Sequence, residues 1–156
     1  RGAKATGGPF TGDFAGKVLD QALIKSGLAS GDYQARPDDT VQLHDIRISN
    51  AVRCVPPQNK PTAAEIATCR PYLSSELNKM TQLKTILALG RIAHETILRH
   101  FDLKLKDFPF GHNQLHKLPN GLQLLSSYHC SRYNVQTNRL SLEMFDEVCQ
   151  RLRDIA

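Results

Sequence analysis

With 156 residues, and 20 Lys plus Arg against 15 Asp plus Glu for a net charge of +5, the chain has the size of one domain built on one core. The positive balance suits an anionic partner such as nucleic acid, while the scatter of basic residues argues against a polybasic tail or membrane-binding patch. No apolar stretch approaches membrane-spanning length, and the four cysteines (Cys54, Cys69, Cys130, Cys149) lack a secreted-scaffold spacing, so no membrane association, no signal peptide and a reducing, intracellular compartment are expected.

The chain opens at Arg1, without Met, in a Gly-rich stretch that reaches Pro9, and a loop of that kind needs an anchor before it, so a trimmed N-terminus is expected. Gly7-Gly8-Pro9-Phe10-Thr11-Gly12 reads as a loop whose glycines let backbone approach a ligand closely. Asp13 or a neighbour then opens a helix carrying Phe14, Val18, Leu19, Ala22 and Leu23 on one face, with Gly27 as its stop. Residues 30–39 are loop. Residues 41–49, with Ile46 and Ile48 in alternation, read as a strand ending at Asn50.

Pro56-Pro57-Gln58-Asn59-Lys60-Pro61 breaks any element, and Thr62 with Glu65 forms a capping box for a helix carrying Ile66, Cys69, Leu73 and Leu77. The apolar run from Thr85 to Leu89 predicts a strand covered on both faces, followed after Gly90 by a short helix over 92–99. Residues 101–121 read as a long polar connection holding His112 and His116, of a length that is usually functional or mobile. A last strand over 122–127 runs into the polar loop Tyr128-His129-Cys130-Ser131-Arg132-Tyr133-Asn134. Ser141 then caps a final helix whose apolar face includes Val148, Cys149 and Leu152. Alternating strands and helices argue a parallel α/β sandwich, and a His at the carboxyl end of a strand is where such sheets place their sites.

Five motifs occur in order: Gly8-Pro9-Phe10-Thr11-Gly12-Asp13; the run from Ser49-Asn50-Ala51 through Cys54 to Thr62; Leu87-Ala88-Leu89-Gly90-Arg91-Ile92-Ala93; Phe110-Gly111-His112; and Ser127-Tyr128-His129-Cys130-Ser131-Arg132-Tyr133-Asn134. Together they resemble the uracil-DNA glycosylase superfamily, most nearly its family 5 iron–sulfur type from bacteria and archaea, over nearly the whole chain. The resemblance implies an α/β three-layer sandwich with a small central parallel sheet flanked by helices, occupying residues 1–156. It also implies a first strand and an upstream Cys pair that would precede Arg1.

The implied activity is hydrolysis of the N-glycosidic bond of uracil, and of some other deaminated bases, in DNA, after the base is flipped out of the stack. Phe10 would stack on that base, where a core Phe is the plainer alternative. Asn50 would accept from uracil N3–H and donate to O4, where a turn-forming Asn is the plainer one. His129 would donate to uracil O2 as charge develops on the leaving base, for which a neutral imidazole suffices. Asp13 would orient water or stabilise the sugar cation, in competition or in concert with a role as helix N-cap. Ser131, Arg132, Tyr133, Asn134 and Arg139 would contact the DNA, Tyr133 or Asn134 filling the vacated stack.

Cys54 and Cys69 match two of the four ligands of the family's structural 4Fe-4S cluster, with Cys130 and Cys149 poor substitutes for the other two. A monomeric, cytoplasmic, nucleoid-associated enzyme without lyase activity is expected. The alternative is a catalytically impaired or non-catalytic DNA-binding remnant of the same fold.

Overall fold

The computed structural model describes residues 13–32, 40–51 and 61–156. In chain order their elements are α1 (Phe14–Ser26), β1 (Ala29–Ser30), β2 (Gln42–Leu43), α2 (Ala63–Lys79), β3 (Thr85–Leu89), α3 (Arg91–His100), a 3-10 turn (Leu105–Asp107), β4 (Gln114–Lys117), β5 (Gln123–Ser127), α4 (Arg132–Gln136) and α5 (Leu142–Ile155). They divide into two compact units. One takes the described residues up to Ile48 together with His129–Ala156, and the other takes Ser49–Tyr128. Among the described residues no helix is long and apolar enough to cross a membrane.

In the first unit α1 starts and stops where local chemistry dictates. The Gly16 N–H donates to Asp13 Oδ1 at 2.8 Å, and Gly27, at φ 83°, supplies the left-handed turn that closes the helix. Its spacing places Ala15, Val18, Leu19, Ala22 and Leu23 on one buried face, which packs against α5 and its buried Phe145, Val148, Cys149 and Leu152. Each large side chain removed from water there contributes about 1.5–3 kcal/mol. Ser141 caps α5, accepting the Met144 N–H at 3.1 Å, and Arg153 donates to the Ser26 carbonyl at the end of α1 at 3.1 Å.

The strand expected over 41–49 shrinks to the two residues of β2, paired antiparallel with β1. Asp45 takes φ 57°, a left-handed conformation that ends extended structure, and the alternation of Ile46 and Ile48 therefore never enters a sheet. Asn50 accordingly lies on irregular backbone, not at a strand end.

The second unit is built on a sheet of order β3-β5-β4. β3 and β5 pair in parallel, Leu87 opposite Leu125, whereas β4 and β5 pair antiparallel, Leu115 opposite Leu125. The connection over 101–121 thus contains a strand as well as the 3-10 turn, and the described sheet is mixed. β5, in the middle, buries Leu124, Leu125, Ser126 and Ser127, while β3 fully buries only Ala88 and so falls short of the cover expected on both faces. A capping box at Thr62 and Glu65 opens α2, and the helix continues through Pro71 even though that residue supplies no N–H to the ladder. Leu73, Ala88, Ile97, Leu98, Leu118 and Leu124 make the core of this unit, with Phe101, Phe108 and Leu122 packed on it.

Candidate active site

His129 leaves the sheet unit by a single peptide bond and belongs to the first unit. Its carbonyl accepts from Asn134 Nδ2 at 2.9 Å, and the Asn134 N–H donates to Ser131 Oγ at 3.2 Å, which makes Ser131 the N-cap of α4. A capping hydroxyl that accepts one N–H keeps its own O–H to donate. Cys130 is fully buried, and its thiol donates to the Ala15 carbonyl in the first turn of α1 at 3.6 Å. The loop is thereby fastened beside Asp13, and Arg132 lies over the Phe14 ring with its guanidinium carbon 5.4 Å from the centroid.

Burial pushes the His129 imidazole below its ordinary value, and the Asp13 carboxylate, near enough for its charge to be felt, works in the opposite direction. The result is an imidazole that is neutral at neutral pH. Asp13 serves simultaneously as the N-cap of α1, so one of the two readings of that residue is visible in the geometry. Tyr133 is 71% exposed, and Arg132 and Arg139 are also at the surface of this unit. Asn138, just before Arg139, takes φ 59°, a conformation that Asn tolerates almost as Gly does.

Asn50 is half-buried in the second unit, following Ser49, whose hydroxyl donates to Glu76 Oε2 at 2.5 Å. Phe10 and Cys54 lie outside the described residues. Little in the residue pattern points to the histidine and aromatic cluster along residues 105–116. His94, almost wholly buried, bonds through Nδ1 to the Ser126 hydroxyl and through Nε2 to the Phe108 carbonyl, both at 2.7 Å. A carbonyl only accepts, so Nε2 carries the proton and Nδ1 accepts from Ser126. Burial holds this ring below the ordinary His range. His116 Nε2 donates to the Pro109 carbonyl at 2.9 Å, and Arg91 lies over the Phe110 ring at 5.1 Å. A groove of about 400 Å³ opens beside these groups, lined in part by Arg91, Glu95 and Lys106.

The profile of the Uracil DNA glycosylase superfamily matches residues 1–153. A type-5 uracil-DNA glycosylase of Thermus thermophilus is 43% identical over 155 residues, covering 99% of this chain and 70% of that protein. The chain belongs to the uracil-DNA glycosylase superfamily.

Further type-5 members agree with it: one from Mycobacterium bovis is 37% identical over 99% of this chain and 59% of its own length, and one from Pyrobaculum aerophilum is 35% identical over 96% and 65%. The chain therefore spans roughly three-fifths to seven-tenths of the length of these superfamily members. The α/β architecture expected from the motifs is that of the superfamily.

The cysteines separate clearly. Cys130 and Cys149 are packed in the first unit with thiols pushed up to about 12 by burial, the opposite of the thiolate a metal requires. Cys69 is buried on α2, and Arg70, next in sequence, has its Nε buried with no hydrogen-bond partner among the described residues. Among the described residues no group of three or more His, Cys, Asp or Glu stands together as a metal site.

Proposed function

We propose that the protein hydrolyses the N-glycosidic bond of uracil, and of other deaminated bases, in DNA and leaves an abasic site. The observation that carries this reading is the match to the superfamily over residues 1–153, in a chain whose His129 ring is held below its ordinary value by burial and lies within electrostatic reach of Asp13. Cleavage of the bond between sugar and base leaves electrons on the pyrimidine N1 and O2 and positive charge on the sugar. His129 donates an N–H toward O2, where a preorganised donor in a water-poor site acts more strongly than in solution. Asp13 stabilises the sugar cation and orients the water that adds to it; the proton that this water gives up goes, by way of solvent, to the N1 of the departing uracil.

By resemblance, Phe10 stacks on the extruded base and Asn50 reads its N3–H and O4. Ser131, Arg132 and Arg139 hold flanking phosphates, while Tyr133 or Asn134 takes the place of the base in the stack. Cys54 and Cys69 would be two of four thiolates around a 4Fe-4S cluster whose role is to hold the segment between them in shape. Iron and sulfide content of anaerobically purified protein checks that assignment. A monomer acting in the cytoplasm at the nucleoid fits the chemistry.

The test is a uracil-containing oligonucleotide incubated with the protein and then treated with alkali, beside a gel shift on the same sample. Release of uracil with an alkali-labile strand is expected. Binding without release would leave the non-catalytic DNA-binding reading in its place.

A further inference from the structure

The Phe110-Gly111-His112 motif has no part in the chemistry above, yet His112 occupies a distinctive place in the sheet. The antiparallel register sets Gln114 of β4 opposite Ser126 of β5, and two further steps put position 112 opposite Tyr128. The main chain of β4 does not extend that far, because Asn113 turns into the left-handed region at φ 55°. On the other side of β5 the parallel partner has also ended, its last bond being Gly90 N–H to the Ser127 carbonyl at 2.8 Å. The Tyr128 N–H is instead taken by the His112 ring, donating to Nδ1 at 3.2 Å.

Three other contacts complete this hold. The Ser127 hydroxyl donates to the Tyr128 carbonyl at 2.8 Å, so both main-chain groups of Tyr128 are bonded to side chains. The rings of His112 and Tyr128 stack with centroids 5.0 Å apart and planes 23° from parallel, and Phe110 packs against Tyr128 at 6.1 Å. The segment that carries His112 is itself pinned at Phe108 and Pro109 by His94 and His116.

We infer that His112 is a positioning residue for base excision: its Nδ1 replaces a missing rung of the β4–β5 ladder and fixes the Tyr128 peptide, the link through which the chain continues to His129. This rests on the role given to His129 above. A donor serving a transition state must be held to about 0.5 Å, and a peptide left without an acceptor rotates to find one.

Two substitutions separate the acceptor from the ring. His112→Phe keeps a stacking ring without Nδ1, and His112→Asn places an amide oxygen near the Nδ1 position without the ring. In the full-length protein, His112→Phe is expected to slow single-turnover uracil release about tenfold, the size of one hydrogen bond, while affinity for uracil-containing DNA changes less than about twofold. Amide exchange at Tyr128 is expected to quicken by a similar factor of about ten, with Leu124 and Leu125 of β5 still protected as proof of folding. His112→Asn is expected to restore rate and protection to within about threefold of wild type.

The inference is overturned if Tyr128 exchange is unchanged in His112→Phe, if the rate and the affinity fall together, or if His112→Asn behaves like His112→Phe. Should wild type release no uracil, the proposed function is what has failed, and the exchange data still decide whether Nδ1 holds Tyr128.

Discussion

The two units use histidine in opposite ways. In the sheet unit, His94 has both ring nitrogens bonded to protein at 2.7 Å and His116 donates to a carbonyl, so these imidazoles act as main-chain partners for a segment that lacks regular structure. In the helical unit, the His129 carbonyl accepts from Asn134, and burial holds its ring below the ordinary value while the Asp13 carboxylate works the other way. A buried imidazole bonded at both nitrogens lends rigidity to the segment it holds, whereas the proposed function asks His129 to act on a substrate. The burial of a histidine therefore says little about its use until its partners are known.

Substitutions can break or sharpen that contrast. The largest effect is expected from His129→Ala, with uracil release slowed about 10²–10³-fold, as for loss of an oxyanion donor, and little change in thermal stability. Asp13→Asn keeps an N-cap oxygen for Gly16 while removing the charge, so release should slow about 10–10²-fold with the melting temperature unchanged. An equal loss of stability would make Asp13 only a cap.

In the sheet unit, His94→Leu strands the Phe108 carbonyl and should cost about 2–3 kcal/mol in urea unfolding. The same residue sets a pH dependence. Burial lowers the folded-state value of His94, and also those of His100 and His129, below the unfolded value of 6.5. The unfolded chain therefore binds protons first as pH falls. Stability from this source is complete above pH 6.5 and declines as pH drops through that value toward the lowered folded values. Urea midpoints measured across that window should fall less steeply for His94→Leu than for wild type. The smallest change, about 1 kcal/mol, is expected for Ser141→Ala at the start of α5.

The parts that could be read from the sequence are those fixed by near neighbours. Asp13, Gly27, Thr62 with Glu65, and Ser141 each act within four residues, so their helices begin and end close to the expected positions. The last helix shows its buried face in its 3.6-residue period. β4 escaped notice because its residues are half-buried or exposed and its partner, β5, is known only from the fold. The opposite error occurred at residues 41–49, where an alternating pattern was genuine but Asp45 turned the backbone away. In the site, His129 and Asp13 stood out by their motifs. The roles of His94 and His112 did not, since each depends on an acceptor or donor at least 14 residues distant along the chain.

The most direct test compares His129→Ala with His94→Leu on one uracil-containing substrate, scoring single-turnover release per folded molecule. The account predicts that the first variant folds like wild type but loses at least about a hundredfold in rate, while the second unfolds sooner yet, where folded, cleaves at close to the wild-type rate. Wild-type release by His129→Ala, or a comparable catalytic loss in folded His94→Leu, would contradict it.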